Sequence, residues 1–294
     1  MPGGLAEGKR FRVFLVGYSH IDSEWLWGLE ETVEVCKRTF ENVVNLMEKY
    51  GEITFTQGPS LYYELIEKRY PKLYKKIADY MNEGRWLAAA APFLEFDANI
   101  PSGESLIRHL LRGRSYIERS RNVKDLDVLF LPDSFGFPAT LPKILNGFGV
   151  KYFVTYKLAW NDANEYPYNL FRWRDGDSEV MTYLLPGSYS DYLSDVKRII
   201  WNILSQWRKQ RIPVILQVYG RGDHGGGPEE EEVVNLRLWK QKWHPIIVFE
   251  HGGMGDFFSY IERNYRGELP KVSGELYLEF HRGVYTTGAL VKKL

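Results

Sequence analysis

Short apolar runs alternate along the chain with longer amphipathic segments, the pattern that βα units leave when their strands lie in a mostly parallel sheet or barrel. Strands are predicted at Phe11–Val16, Ile53–Thr56, Trp86–Ala90, Val128–Leu131, Tyr152–Thr155, Val180–Leu185, Val214–Tyr219 and Ile246–Glu250. A 3.6-residue apolar period predicts helices over Glu31–Tyr50, Leu61–Glu83, Ser105–Arg119, Leu141–Gly147, Leu193–Lys209 and Glu229–Lys240. No repeat, low-complexity tract or Pro/Gly/Ser-rich linker interrupts this order, so one α/β domain is expected to fill most of the chain.

Composition narrows the chemistry. The 294 residues are 44% hydrophobic, enough for a substantial core. Lys+Arg and Asp+Glu balance at 38 each, which gives no reason to expect nucleic acid or an anionic membrane as partner and suits a neutral substrate. Nine Trp and twenty Tyr fit ring faces that stack on sugars as well as a large aromatic core. The single Cys36 excludes an internal disulfide and a thiolate metal cluster, so any metal chemistry must use His and carboxylate. With no leader-like apolar run before the first strand and no stretch long enough to span a membrane, a reducing cytoplasm is the expected compartment.

Polar residues that stand out follow the predicted strands, where parallel α/β folds gather ligands. His20 and Asp22 in GYSHIDSEW are two residues apart, so in an extended segment both point to one side and can chelate one ion; the plainer alternative is a loop histidine and a helix-capping aspartate. Asp133 lies after VLFL in LPDSFGFPATLPKIL, a tight aromatic loop that suits a nucleophile and lies too far from the next helix to cap it. In VYGRGDHGGGP, Asp223 and His224 precede three glycines that let the backbone approach a ligand, yet no Lys-Ser, Lys-Thr or dinucleotide spacing supports a phosphate site. Glu229–Glu232 reads as the solvated first turn of a helix, and His109, His244, His251 and His281 as helix, loop or turn residues with structural roles.

The ordered runs SHIDSEW, LEFDANIPSGESLIRHLLRG, PDSFGFPATLPKIL, TYKLAWNDANEYPYNLFRW, YGRGDHGGGP and LYLEFHRGVYTTGA resemble the family 38 glycoside hydrolases, which are α-mannosidases, in their bacterial, archaeal and cytosolic branch. The resemblance implies a (β/α)7-type barrel over residues 1–270, followed at 271–294 by the start of a truncated helical bundle. It implies hydrolysis of terminal α-linked mannose with retention, using one divalent cation, zinc or else cobalt. His20 and Asp22 match the first two metal ligands, and Asp133 matches the nucleophile, itself a ligand. Trp25 matches a ring that stacks on mannose, and Asp223 the general acid/base. Glu95, Asp97, Lys157, Trp160 and Asn161 fall in motifs assigned to substrate binding or support of the site.

A retaining glycosidase needs one carboxylate to attack the anomeric carbon and a second carboxyl, about 5–5.5 Å away, to protonate the leaving oxygen. Asp133 and Asp223 are the expected pair. The family's fourth metal ligand, a histidine beyond HRGVYTTGALVKKL, has no counterpart, so water, a partner chain supplying the helical and β-sandwich domains, or His224 is expected to complete the shell. Two other readings stand beside the mannosidase: a sugar-binding remnant of the same fold, and a metal-dependent deacetylase-like hydrolase.

Overall fold

The computed structural model describes residues 10–119, 123–288 and 290. The elements run β1 (Phe11–Tyr18), α1 (Leu29–Lys49), β2 (Phe55–Thr56), α2 (Ser60–Arg69), α3 (Pro71–Glu83), β3 (Trp86–Leu87), α4 (Gly103–Ile117), β4 (Val128–Leu131), α5 (Leu141–Gly147), β5 (Tyr152–Thr155), β6 (Leu170–Asp175), β7 (Ser178–Leu184), α6 (Val196–Gln210), β8 (Val214–Tyr219), α7 (Glu230–Trp243), β9 (Ile247–His251), α8 (Met254–Tyr265) and β10 (Lys271–Ser273). Each of the eight predicted strands has a counterpart, but two are shorter than expected: β2 keeps only Phe55–Thr56, and β3 stops at Leu87 because Ala89 and Ala90 turn to positive φ. The end of the expected helical start, residues 289 and 291–294, lies outside the described residues.

Three departures have local causes. The single helix expected over Leu61–Glu83 breaks at Tyr70, because Pro71 starts α3 and the residue before a proline is driven out of helical geometry, here to φ −134° and ψ 61°. β6 pairs antiparallel with β7 across a turn at Gly176 with φ 56°. Its run LFRWRD carries three charges and hides the alternation that would have marked it. α8 and β10 were also not predicted, the former because glycines on either side of Met254 obscure its helical period.

The strands form two five-stranded sheets, one with β3, β2, β1 and β8 in order and β9 beside β1, the other with β10, β6, β7, β5 and β4. Every pairing is parallel except β6 with β7. Among the described residues no hydrogen-bonded ladder joins the sheets, so the backbone does not close the seven-stranded barrel that was expected. Side chains join them instead. Phe14, Val16 and Tyr18 of β1, Phe130 of β4, Val154 of β5, Tyr183 of β7 and Leu216 of β8 share one buried cluster. Tyr18 and Phe130 meet edge to face at 4.8 Å, and the Leu216 N–H reaches the Tyr183 hydroxyl at 3.4 Å. α8 fills the remaining interior with Met254, Phe257, Phe258 and Ile261, and Phe258 stacks on Tyr152 at 4.5 Å. Aromatic pairs of this kind contribute about 0.5–1.5 kcal/mol each beyond burial of their area.

The loop after β3 is built around a backbone conflict. Ala89, Ala90 and Ala91 all have positive φ, at 36°, 57° and 48°, a region that costs an L residue roughly 1–2 kcal/mol. The loop is held by the Ala90 N–H on the Asp125 carbonyl and by close approach of Gly113 in α4. A Cβ at Gly113 would run into the Ala91 carbonyl oxygen and the Phe93 nitrogen. Helix propensity alone says Gly113→Ala should gain about 1 kcal/mol. Overpacking against fixed backbone costs about 1–3 kcal/mol. Thermal unfolding of Gly113→Ala is therefore expected to show a lower midpoint than the parent, and a rise would mean that α4 does not press on this loop.

Asp125, just ahead of β4, turns its carboxylate to the start of α8 and accepts the Gly255 N–H at 3.2 Å. Burial, reinforced by the charges of Asp256 and Asp127, pushes its carboxyl up to about 7 against the pull of the Gly255 N–H. Between the unfolded value near 4 and about 7 the folded chain binds the extra proton, so stability falls as pH rises through that window. Asp125→Asn should remove this fall. The melting temperature of the variant relative to the parent is expected to increase from pH 5 to pH 8, and a constant difference would place the titration elsewhere.

Candidate active site

The carboxyl ends of β1, β3 and β4 deliver polar residues to one cleft of about 480 Å³, lined by His20, Asp22, Glu95, Asp97, Asp133 and Tyr285 among others, and the ends of β5, β7 and β8 add Lys157, Tyr189 and Asp223 beside Asp133. A larger groove of about 770 Å³ between α2 and α4 lies elsewhere, and its Arg112 and Arg119 are paired with Glu64 and Glu67.

His20 is buried at the exit of β1. Its Nε2 lies 3.2 Å from Asp22 Oδ1 and 3.8 Å from Asp133 Oδ2, while Nδ1 lies 3.3 Å from Glu95 Oε2. One ligand atom from each of His20, Asp22 and Asp133 falls within 4.8 Å of the others. One nitrogen and two carboxylates form a donor set that fits a divalent cation. Burial opposes a charged ring at His20, but its bonds to Asp22 and Glu95 and the charges of Glu95 and Asp133 prevail and push it up to about 10. A cation at the triad would take the place of that proton. Neither aspartate caps a helix: the N-cap of α1 is Gly28 and that of α5 is Thr140, both without a side-chain cap bond.

Asp133 is held from several directions. Its backbone N–H donates to Glu95 Oε1 at 2.5 Å, and its Oδ1 receives Lys157 Nζ at 2.5 Å and the Tyr189 hydroxyl at 2.8 Å. Lys157 is itself buried, its ammonium 3.3 Å from the Trp160 ring centroid and flanked by Phe135 and Tyr189. Tyr189, in the loop after β7, also lies 2.8 Å from Asp223 Oδ1. That loop is fixed by Asp191, which accepts the Ser188 N–H and a bidentate pair from Arg198. Burial and both aspartates drive the Tyr189 phenol far above its usual range, so it keeps its proton.

The glycine-rich loop folds back on β1. The Gly225 N–H donates to the His20 carbonyl at 2.7 Å, and a Cβ at Gly222, whose φ is 124°, would strike the Gly225 carbonyl. His224 does not join the metal triad. Its Nδ1 accepts the Asp22 N–H at 3.3 Å and its ring lies against Trp27 at 3.7 Å, tilted by 31°. The glutamate run is less solvated than expected: Glu229 and Glu232 form a capping box, and Glu232 is buried while accepting the Leu193 N–H.

The remaining predicted residues divide. Trp25 stands 71% exposed, its ring edge-on to Trp27. Asp97 accepts the N–H groups of Asn99 and Ile100 and so shapes its own loop. Asn161 bonds the Leu158 carbonyl and the Glu279 N–H, both backbone groups, and Trp160 lies on Lys157. Residues 276–285 strap these loops together: Glu279 accepts three consecutive N–H groups at Asp162, Ala163 and Asn164, Tyr285 bonds the Phe135 carbonyl, and His281 packs on Phe135 and Trp160. Sequence reasoning missed Tyr189. Its only signal was its place in PGSYSD, directly after a predicted strand.

Two carboxyls sharing one phenol beside a cation-ready triad, all at the ends of mostly parallel strands, have the form of a glycoside hydrolase site. Residues 10–275 match the glycosyl hydrolases family 38 N-terminal domain, and the chain belongs to that family. It is 36% identical over 283 residues to alpha-mannosidase G of Dictyostelium discoideum, covering 96% of this chain and 26% of that protein. To alpha-mannosidase 2C1 of Mus musculus it is 33% identical, covering 96% of this chain and 27% of that protein. An alpha-mannosidase from Enterococcus faecalis shares the fold at a TM-score of 0.78 with 18% identity, over 91% of this chain and 31% of that one. The chain thus spans about a quarter of the length of these curated relatives. Among the described residues no helix is long and apolar enough to cross a membrane.

Proposed function

We propose that this chain carries a site that hydrolyses terminal α-linked mannose with retention, with Asp133 as nucleophile, Asp223 as general acid/base and a divalent cation, zinc or cobalt, held by His20, Asp22 and Asp133. The observation that carries the reading is the Tyr189 bridge. Two carboxylate oxygens that each lie 2.8 Å from one phenol oxygen are separated by no more than twice that distance, 5.6 Å. Retaining glycosidases hold their two carboxyl groups about 5–5.5 Å apart and inverting ones about 6.5–9.5 Å, and this upper limit on the facing oxygens is compatible with the closer spacing. Tyr189 has a single hydrogen to give, so it donates to one of the two carboxyls at a time and links them as a pair.

In this mechanism the Lys157 ammonium and the Tyr189 hydroxyl hold Asp133 aimed. Asp133 attacks the anomeric carbon while Asp223 protonates the departing oxygen. Asp223 then takes a proton from the water that releases the sugar from Asp133. When bound, the cation supplies Lewis-acid attachment for sugar hydroxyls and favours a distorted ring. Trp25 offers an exposed ring face to the sugar, and Asp97, Trp160 and Asn161 hold the walls. The α/β frame acts here as a seven-stranded barrel held together by side chains rather than by a continuous ladder. His20, Asp22 and Asp133 would hold the cation, with water or a residue of a partner chain as a further ligand, and the single Cys36 suits a cytoplasmic setting.

The direct test is hydrolysis of an aryl α-mannoside by chain stripped with chelator and reloaded with zinc or cobalt. Activity should vanish on stripping and return with metal, and Asp133→Ala should abolish it. Turnover by Asp133→Ala overturns the nucleophile assignment, and turnover by stripped chain overturns the cation's role. A metal-loaded chain that binds mannose without cleaving it supports the sugar-binding reading, and release of acetate from an acetylated glycan the deacetylase-like one. Tyr189→Phe removes a hydrogen bond to a charged group, a loss of about 1.5–3 kcal/mol, so kcat/KM should fall roughly ten- to hundredfold. An unchanged kcat/KM removes Tyr189 from the mechanism.

A further inference from the structure

We propose that Glu95 is the positioning residue of the cation site rather than a sugar ligand: one of its oxygens sets the His20 ring, and the other sets the Asp133 backbone. The inference rests on the reading of His20, Asp22 and Asp133 as a cation centre. Glu95 Oε2 lies 3.3 Å from His20 Nδ1, and Oε1 accepts the Asp133 N–H at 2.5 Å. Its side chain is 16% exposed, and both oxygens are turned to the two ligands. A carboxylate on Nδ1 holds the proton on that nitrogen and leaves the Nε2 lone pair for the cation. Second-layer partners of this kind raise ligand basicity and fix ring orientation. The Tyr18 hydroxyl, at 3.5 Å from the same Nδ1, is the more distant partner.

Glu95 is unusually well fixed for a loop residue. On one side Leu94 is pinned by His109 Nε2, which lies 2.8 Å from both its N–H and its carbonyl and bonds one or the other according to the ring's tautomer. On the other side the Phe96 carbonyl accepts the Ser134 hydroxyl at 2.8 Å. Ser134 follows Asp133 directly, so the loop after β3 and the loop after β4 are stitched at adjacent positions. Upstream lie the three left-handed alanines, whose strain persists only because the surrounding packing over-determines it. Strain and stitching together hold one carboxylate where it serves two ligands from different strands.

Variants at this position separate geometry from charge. Glu95→Ala removes both braces. Glu95→Gln keeps an acceptor for His20 Nδ1–H but sets an amide N–H₂ or a strained rotamer against the Asp133 N–H. Glu95→Asp keeps the charge and shortens the reach. The measurement is affinity for zinc by chelator competition, with the visible spectrum of the cobalt-loaded chain and the unfolding midpoint of the metal-free chain recorded alongside. Zinc affinity is expected to fall ten- to hundredfold in Glu95→Ala, the range for loss of such a partner, by at least about tenfold in Glu95→Asp, and by less in Glu95→Gln, with a changed cobalt spectrum in each. Zinc bound equally by parent and Glu95→Ala overturns the proposal while leaving the cation centre intact. Parent-like affinity in Glu95→Asp with loss in Glu95→Gln also overturns it, because charge alone would then account for the effect. Absence of zinc binding by the parent overturns the cation centre itself. Should Glu95→Ala fail to fold, the other two variants carry the comparison.

Discussion

β1 is hydrogen-bonded along both edges, and the positions of His20 and Asp22 follow from that. From Arg12 to Gly17 it pairs with β8; on the other edge β9 takes Phe11 to Leu15 and β2 takes Gly17 and Tyr18. Its side chains alternate between two cores, Val13 and Leu15 toward α6 and α7, and Phe14, Val16 and Tyr18 toward the interior shared with α8. A strand paired on both edges and buried on both faces has no cheap displacement. His20 and Asp22 leave its end before any helix begins, so their placement is inherited from the sheet rather than built by a loop.

Around that fixed point the cleft concentrates charge of one sign. Asp22, Glu95 and Asp133 gather around His20, and Asp223 joins Asp133 through Tyr189. Lys157, His20 and Tyr189 are the donors that make the arrangement tolerable, and they divide Asp133 between them. Lys157 and Tyr189 occupy Oδ1, Glu95 takes the backbone N–H, and Oδ2 is left facing His20. One aspartate thus meets a buried ammonium and the phenol shared with a second carboxyl through Oδ1, and keeps Oδ2 on the side of His20. The aromatic cage about Lys157 strengthens this by excluding water from its charge.

Much of this was legible in the sequence because strand cores and post-strand polar residues are local patterns. Val128–Leu131 followed by Pro-Asp, or Val214–Tyr219 followed by a glycine-rich turn, read directly as strand and functional loop, and His20, Asp22 and Asp133 do come together. Other features depended on partners distant in the chain. Tyr189 has only its place after a strand to separate it from nineteen other tyrosines, and its contact with two aspartates is what singles it out. Glu95 lay in a recognisable motif, yet which way its carboxylate turned was decided by His109 and Ser134. The β6 strand was concealed by its charges, and the gap between the two sheets depends on how α8 fills the interior, which no periodicity reports.

The three left-handed alanines after β3 have a consequence for what this loop can become. Glycine at these positions would relieve the native backbone but would enlarge the freedom of the unfolded chain, and with it the entropy lost on folding. Any larger residue would add a clash to the strain already present. Alanine is the compromise, carrying enough side chain to limit the loop's alternatives and too little to forbid the turn. Substitution here is therefore expected to be confined to a very small alphabet, so the loop's freedom to evolve is set by backbone geometry although none of its three alanines bears a functional group.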